Sequence, residues 1–121
     1  MRDEEGCELL CMDLPKAEAL RHALPRQGEL ESAAVTARAL SDPTRLRIAL
    51  ALQRGGEMCV CDLAWVSERQ DQLVSHHLRQ LRAADLARSR KDGRMVLYSL
   101  SDRGHALLAL FVTDAAAQLS P

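Results

Sequence analysis

Apolar positions along this chain recur mainly at the three- and four-residue spacing of helices, and give way to a strand–turn–strand pattern near residue 90. Pro15 opens a short helix to about Leu24, stopped by Pro25, and Gly28 precedes a helix over about 30–40, LESAAVTARAL. In SDPTRLRIALALQRGG, Asp42 can cap a helix, Pro43 suits its first position, and Gly55-Gly56 ends it. Leu46, Ile48, Leu50 and Leu52 lie nearly all round that helix, which predicts a buried one. A helix from about Val60 to Val66, the turn SERQDQ and a helix from about Gln72 to Ala84 follow. LARSR and MVLYSL then flank KDG, with Asp92-Gly93 as the hairpin turn. Asp102 is expected to cap a last helix, RGHALLALFVTDAAAQL. Its Leu107, Leu108, Leu110 and Phe111 form an apolar surface too broad for one small core and suited to pairing with a second chain. This order of elements predicts a mainly α fold with a two-stranded β-wing: a homodimeric winged helix-turn-helix.

On a wheel of about 100° per residue, Val74, Leu78 and Leu81 share a narrow arc facing the core. Gln72, His76, Arg79 and Gln80 fall opposite, with Ser75 on the flank and His77 nearer the core arc. Gln reads adenine, Arg reads guanine, and Ser or His contacts bases or phosphates, so this face suits a major groove. The first turns of such a helix make most contacts, which ranks Gln72, Ser75, His76 and Arg79 first; His77 is expected to be structural. Arg90, Lys91 and Arg94 bracket the hairpin tip, where they can lie along the phosphate backbone. The bland reading of the same charges is a solvated basic face.

The net charge of −1 argues against a general polyanion binder, but the charge is unevenly spread. Residues 1–14 carry one Arg against Asp3, Glu4, Glu5, Glu8 and Asp13. Residues 75–94 carry Arg79, Arg82, Arg88, Arg90, Lys91 and Arg94 against Asp85 and Asp92. The division expected is an N-terminal metal-binding arm over 1–15 and a DNA-binding and dimerisation domain over 16–121. No run reaches the roughly 20 apolar residues of a membrane span. The acidic N-terminus lacks the basic-then-apolar order of a secretory signal, so the expected compartment is the cytoplasm, with no membrane partner.

That compartment is reducing, which changes how the four cysteines read. They form two pairs, Cys7 with Cys11 and Cys59 with Cys61. Positions i and i+2 lie about 200° apart on a helix, so Cys59 and Cys61 share a site only if a helix begins between them. The upstream Gly55-Gly56 makes such a start plausible. Cys7 and Cys11 would share a face if the arm became helical. Four soft ligands suit Zn(II) or Cd(II), and Pb(II) could use three of them. Two other uses stay open: a thiol as a small buried apolar residue, and a redox or sulfane-sulfur switch. No nucleophile, base and oxyanion donors assemble, so an enzyme is not expected. A metal-buffering protein would need the thiols without the basic helix, and a winged helix can also bind protein alone.

SDPTRLRIALAL, EMCVCDLA, VSHHLRQLRAADL and KDGRMVLYSLSD, in this order and spacing, resemble the ArsR/SmtB family of metal-responsive repressors over roughly residues 30–119. Through CVCDL, SHHLR, LYSL and the arm cysteines, the chain is most similar to CadC-type sensors of cadmium and lead. The resemblance implies a homodimer, held by its first and last helices, that binds double-stranded operator DNA without metal and releases it on binding Cd(II) or Pb(II), with Zn(II) a further candidate. It also implies that Cys7 and Cys11 of one protomer join Cys59 and Cys61 of the other. Two departures stand out. Relatives build a second site from Asp-x-His and His-x-x-Glu; here Asp102 is followed by Gly104, the later pair falls at Ala115 and Gln118, and His105 is one residue off. SERQDQ also replaces their Ser-rich cap, leaving Gln70 or Asp71 to begin the reading helix.

Overall fold

The computed structural model describes residues 11–111, for Phe111 the backbone only. These residues form six helices and one two-stranded sheet: α1 Leu14–Ala23, α2 Gln27–Ala39, α3 Pro43–Gly55, α4 Val60–Ser67, α5 Asp71–Ala83, β1 Ala87–Asp92, β2 Met95–Leu100 and α6 Asp102–Phe111. The chain falls into two units, divided between Glu31 and Ser32. In the first, the Asp13 carboxylate accepts from the Lys16 N–H at 3.2 Å to start α1, and Leu24 closes it by donating to the Leu20 carbonyl. No residue of α1 is buried, and Leu14, Leu20 and the following Leu24 are all exposed.

The second unit is built round α3. Asp42 caps it as expected, its carboxylate accepting from the Arg45 N–H at 2.8 Å, and Gly56 ends it at a positive φ of 78° that favours glycine. Ile48 and Leu52 are fully buried with Leu63 of α4, Val74, Leu78 and Leu81 of α5, Leu86 and Leu108. Leu46 and Leu50 are only half-buried, so α3 keeps one open side rather than being enclosed all round.

β1 and β2 are antiparallel, with Ala87 opposite Leu100 and Asp92 opposite Met95. The two-residue loop is therefore Gly93-Arg94, one residue beyond the Asp92-Gly93 turn read from the sequence. Gly93 has φ of 64° and Arg94 is not left-handed, the pattern of a II′ turn with glycine first. Met58 forms an isolated antiparallel bridge to β2 by exchanging both backbone hydrogen bonds with Tyr98, at 2.9 and 2.8 Å.

The expected cap of α6 also shifts by one residue. Ser101, not Asp102, serves: its Oγ accepts from the Gly104 N–H at 3.0 Å and donates to the Asp85 carbonyl at 2.8 Å. Ser101 is buried while Asp102 is exposed, so tertiary packing chooses between two adjacent residues able to cap. The rest of the predicted final helix, residues 112–119, lies outside the described residues.

Gly104 has a packing reason. A Cβ there would collide with the Leu86 carbonyl and come within 3.1 Å of Leu100 Cδ2. A histidine at this position is excluded by backbone, which removes the Asp-x-His site on steric grounds. Gly104→Ala is expected to lower the unfolding free energy by about 1–3 kcal/mol through overpacking, outweighing the usual helix gain from alanine. Denaturant unfolding at fixed protein concentration checks this; equal or greater stability would contradict the packing argument.

Candidate nucleic-acid interface

α4, the turn Glu68–Gln70 and α5 form a helix–turn–helix. Glu68 ends α4 in the left-handed region, φ 57°, its N–H donating to the Ala64 and Trp65 carbonyls. Gln70 precedes α5 as N-cap with extended backbone but no side-chain cap bond, so α5 begins one residue earlier than expected. Val74, Leu78 and Leu81 are fully buried. Gln72, His76, Arg79 and Gln80 are exposed, and Ser75 is half-buried. The helix thus presents to solvent the four polar residues that the wheel placed opposite the core.

His77 is buried, as expected, and its partners were not visible in the sequence. Arg45 on α3 donates from Nε to His77 Nδ1 at 3.2 Å and from Nη1 to the Ala39 carbonyl at 3.1 Å. His77 Nε2 lies 3.8 Å from the Asp42 carboxylate. An acceptor at Nδ1 requires the neutral tautomer with its proton on Nε2. Burial pushes the His77 pKa down, against the Asp42 charge that would raise it; Arg45 and neighbouring cations push the same way as burial. Asp42 is held below the usual carboxylate range, first by the Arg45 N–H and further by the Arg45 charge and the Thr44 N–H. α5 is thereby pinned to the start of α3.

In the wing, Arg90, Lys91 and Arg94 are all exposed, Arg90 and Lys91 on β1 and Arg94 in the turn. Arg90 is already engaged: Glu57 accepts from its Nε at 2.6 Å and its Nη2 at 2.7 Å. That contact holds the Glu57 carboxyl below its ordinary range and raises Arg90. Glu57 lies 33 residues away along the chain, and no periodicity linked the two.

The thiol segment follows directly. Cys59 is the N-cap of α4, with extended backbone at φ −87° and ψ 170°, and Cys61 sits in the first turn. This is the helix start required for the pair to share a site. Both are free thiols, Cys59 half-buried and Cys61 exposed. Cys11 is disulfide-bonded. Cys7 lies outside the described residues. No three His, Cys, Asp or Glu side chains cluster as a metal site among the described residues, so Cys59 and Cys61 offer two soft donors and need others to complete a coordination shell.

The model of the bacterial regulatory protein arsR family matches residues 42–89, from the α3 cap into β1. A cadmium resistance transcriptional regulatory protein CadC homolog of Staphylococcus aureus is 41% identical over 99 residues, covering 82% of this chain and 81% of that protein. The chain belongs to the arsR family. A transcriptional repressor SmtB homolog of Synechocystis sp. is 44% identical over 101 residues, 81% of this chain and 76% of that protein. Among solved structures, the homodimeric winged helix-turn-helix DNA-binding domain Mb0332 of Mycobacterium bovis superposes with a TM-score of 0.63 at 23% identity, covering 91% of this chain and 92% of that one.

The fold expected from the sequence is therefore the fold found: a winged helix-turn-helix of an arsR-family transcriptional regulator, a family without enzymatic activity. No described helix is long and apolar enough to cross a membrane. The arsR-family match spans Arg45, Glu57 and His77; of these, the sequence pattern marked only His77, as structural, because the partners of Arg45 and Glu57 are distant along the chain.

The His77 clasp has a pH signature. Because its folded pKa is depressed, the clasp stabilises the fold fully above the ordinary histidine value of about 6.5. That contribution is lost as pH falls from there through the depressed value, since the unfolded chain takes up the proton first. Unfolding free energy should decline over this window in the wild type and less steeply in His77→Gln. Parallel slopes in denaturant melts across the window would show that the clasp does not carry the dependence.

Proposed function

We propose that this protein is a transcriptional repressor that binds operator DNA as a metal-free homodimer and lets go when Cys59 and Cys61, with Cys7 and Cys11, take up a thiophilic ion. Cd(II) or Pb(II) is the expected effector, with Zn(II) a further candidate. The observation that carries the reading is the position of the thiol pair at the first turn of α4. Whatever grips Cys59 and Cys61 grips the helix that packs behind the reading helix. The relatives named for cadmium resistance support the same effector class.

In this reading, Gln72, Ser75, His76 and Arg79 enter the major groove from α5, and Arg90, Lys91 and Arg94 line the phosphates from the wing. A dimer sets two such helices about 34 Å apart, one turn of a palindromic operator. The dimer face is supported by α2 and α6 within the second unit. There Val35 and Leu110 are exposed and an open apolar cavity of about 500 Å³ is lined by Ala33, Thr36, Ala37, Leu40, Arg103 and Leu107. The Arg103 guanidinium donates to Thr36 Oγ1 at 2.9 Å and so leaves that face without an unpaired hydroxyl.

A bound ion would be held by sulfur and would supply charge neutralisation of thiolates. The chain's own part is mechanical. Ligation requires Cys11 as a thiol, hence reduced protein, and it fixes the start of α4. A fixed α4 repositions α5, so operator and effector favour different arrangements of the dimer and each weakens the other's binding. A coupling of about 3–5 kcal/mol would lower operator affinity by two to four decades.

Titrating reduced protein with Cd(II) is expected to give an ultraviolet thiolate-to-metal charge-transfer band together with operator release. Cys59→Ser should remove most of both while leaving metal-free operator binding within a few-fold of wild type. If the variant keeps the band and the release, the assignment of this thiol pair fails. Release by an oxidant from metal-free protein, without a response to any soft ion, would favour a redox or sulfane-sulfur sensor of the same fold.

A further inference from the structure

Three consecutive residues tie the thiol pair to the wing. Glu57 grips Arg90 of β1 through two hydrogen bonds of 2.6 and 2.7 Å. Met58 forms the backbone bridge to Tyr98 of β2. Cys59 follows as the cap of α4. We propose that Glu57 is a positioning residue for the wing, holding Arg90 off the phosphate backbone and passing the state of the thiols to the DNA-binding surface. This rests on the reading of Cys59 and Cys61 as effector ligands and of the wing as a phosphate contact.

Charge and geometry together carry the argument. The carboxylate occupies the Nε and Nη2 edge of the guanidinium, the same fork a phosphate would take in bidentate fashion. An arginine satisfied in this way has its charge offset locally and releases few counterions from DNA. The pair is also exchangeable. Its side chains remain 55% and 41% exposed, and an ion pair in that much solvent is weak enough for a phosphate to replace the carboxylate.

The anchorage of Glu57 decides when exchange occurs. Gly56 breaks the chain from α3, so segment 57–59 is held on one side by the Met58–Tyr98 bridge and on the other by whatever holds Cys59. With the thiols unligated, Glu57 can part from Arg90 as the wing reaches DNA. With both thiols engaged, the segment is fixed, the ion pair stays closed and the wing loses one phosphate contact per protomer. Arg90 thus contacts DNA in the metal-free complex and Glu57 in the released form.

Glu57→Gln tests this, since it keeps the side-chain shape and removes the charge. In metal-free protein, operator affinity is expected to rise about three- to tenfold. Arg90 already meets phosphate in the metal-free wild-type complex, so the slope of log K against log salt should match the wild type there. With Cd(II) bound it should be steeper than the wild type's by about one per protomer. In an Arg90→Gln background the same change should do nothing further, which separates release of Arg90 from a general gain in positive potential. With Cd(II) as the probe, Glu57→Gln should bind the wild-type number of ions yet lose less operator affinity than the wild type. An unchanged metal-free affinity, a gain that persists without Arg90, or a Cd(II)-bound slope equal to the wild type's would overturn the proposal. Failure of wild-type protein to respond to Cd(II) would instead refute the effector reading, while the metal-free comparison would still decide the role of Glu57.

Discussion

The two backbone hydrogen bonds between Met58 and Tyr98 fix the segment that joins the end of α3, the wing and the start of α4. They tie the loop after α3 to the wing by a one-residue bridge on the edge of β2. Because Cys59 comes next and already caps α4, one extended segment touches the sheet, the thiols and the first helix of the helix–turn–helix. A side chain can lose its partner at little cost in solvent, whereas a paired backbone bridge resists sliding. Strain applied at Cys59 therefore has a stiff path to the wing and a packed path, through Leu63 and the buried face of α5, to the reading helix.

The rest of the second unit gives that segment something rigid to act against. Leu63, Leu78, Leu81 and Leu86 are fully buried around Ile48 and Leu52, so α4 and α5 are packed onto α3 rather than merely adjacent to it. The Arg45–His77 hydrogen bond adds a directional restraint at the middle of α5. Exposed polar residues on one side of α5 and a buried, neutral histidine on the other are two faces of the same helix.

How much of this could be read from residues alone depended on whether the cause was local. The bounds of α3 follow from Asp42, Pro43 and the glycine pair, all within one turn of the ends they define, and they hold in the structure. The non-helical geometry of Cys59 follows from the angular spacing of Cys59 and Cys61 and is also found. The hairpin loop slipped by one residue because Asp92-Gly93 and Gly93-Arg94 both place a glycine where a tight turn needs it; strand register, a pairing property, chose the second. The cap of α6 slipped for a similar reason, decided by the Asp85 carbonyl that holds Ser101. Glu57 with Arg90, and Arg45 with His77, are pairs more than 30 residues apart, and only the fold brings them together.

If the thiol segment and the DNA surface are one mechanical unit, their ligands must oppose each other reciprocally. The most direct measurement is the Cd(II) affinity of the reduced dimer, free and saturated with operator, at one salt concentration. The account predicts weaker Cd(II) binding on the operator, by the same factor by which Cd(II) weakens operator binding. Equal Cd(II) affinity in the two states would contradict it.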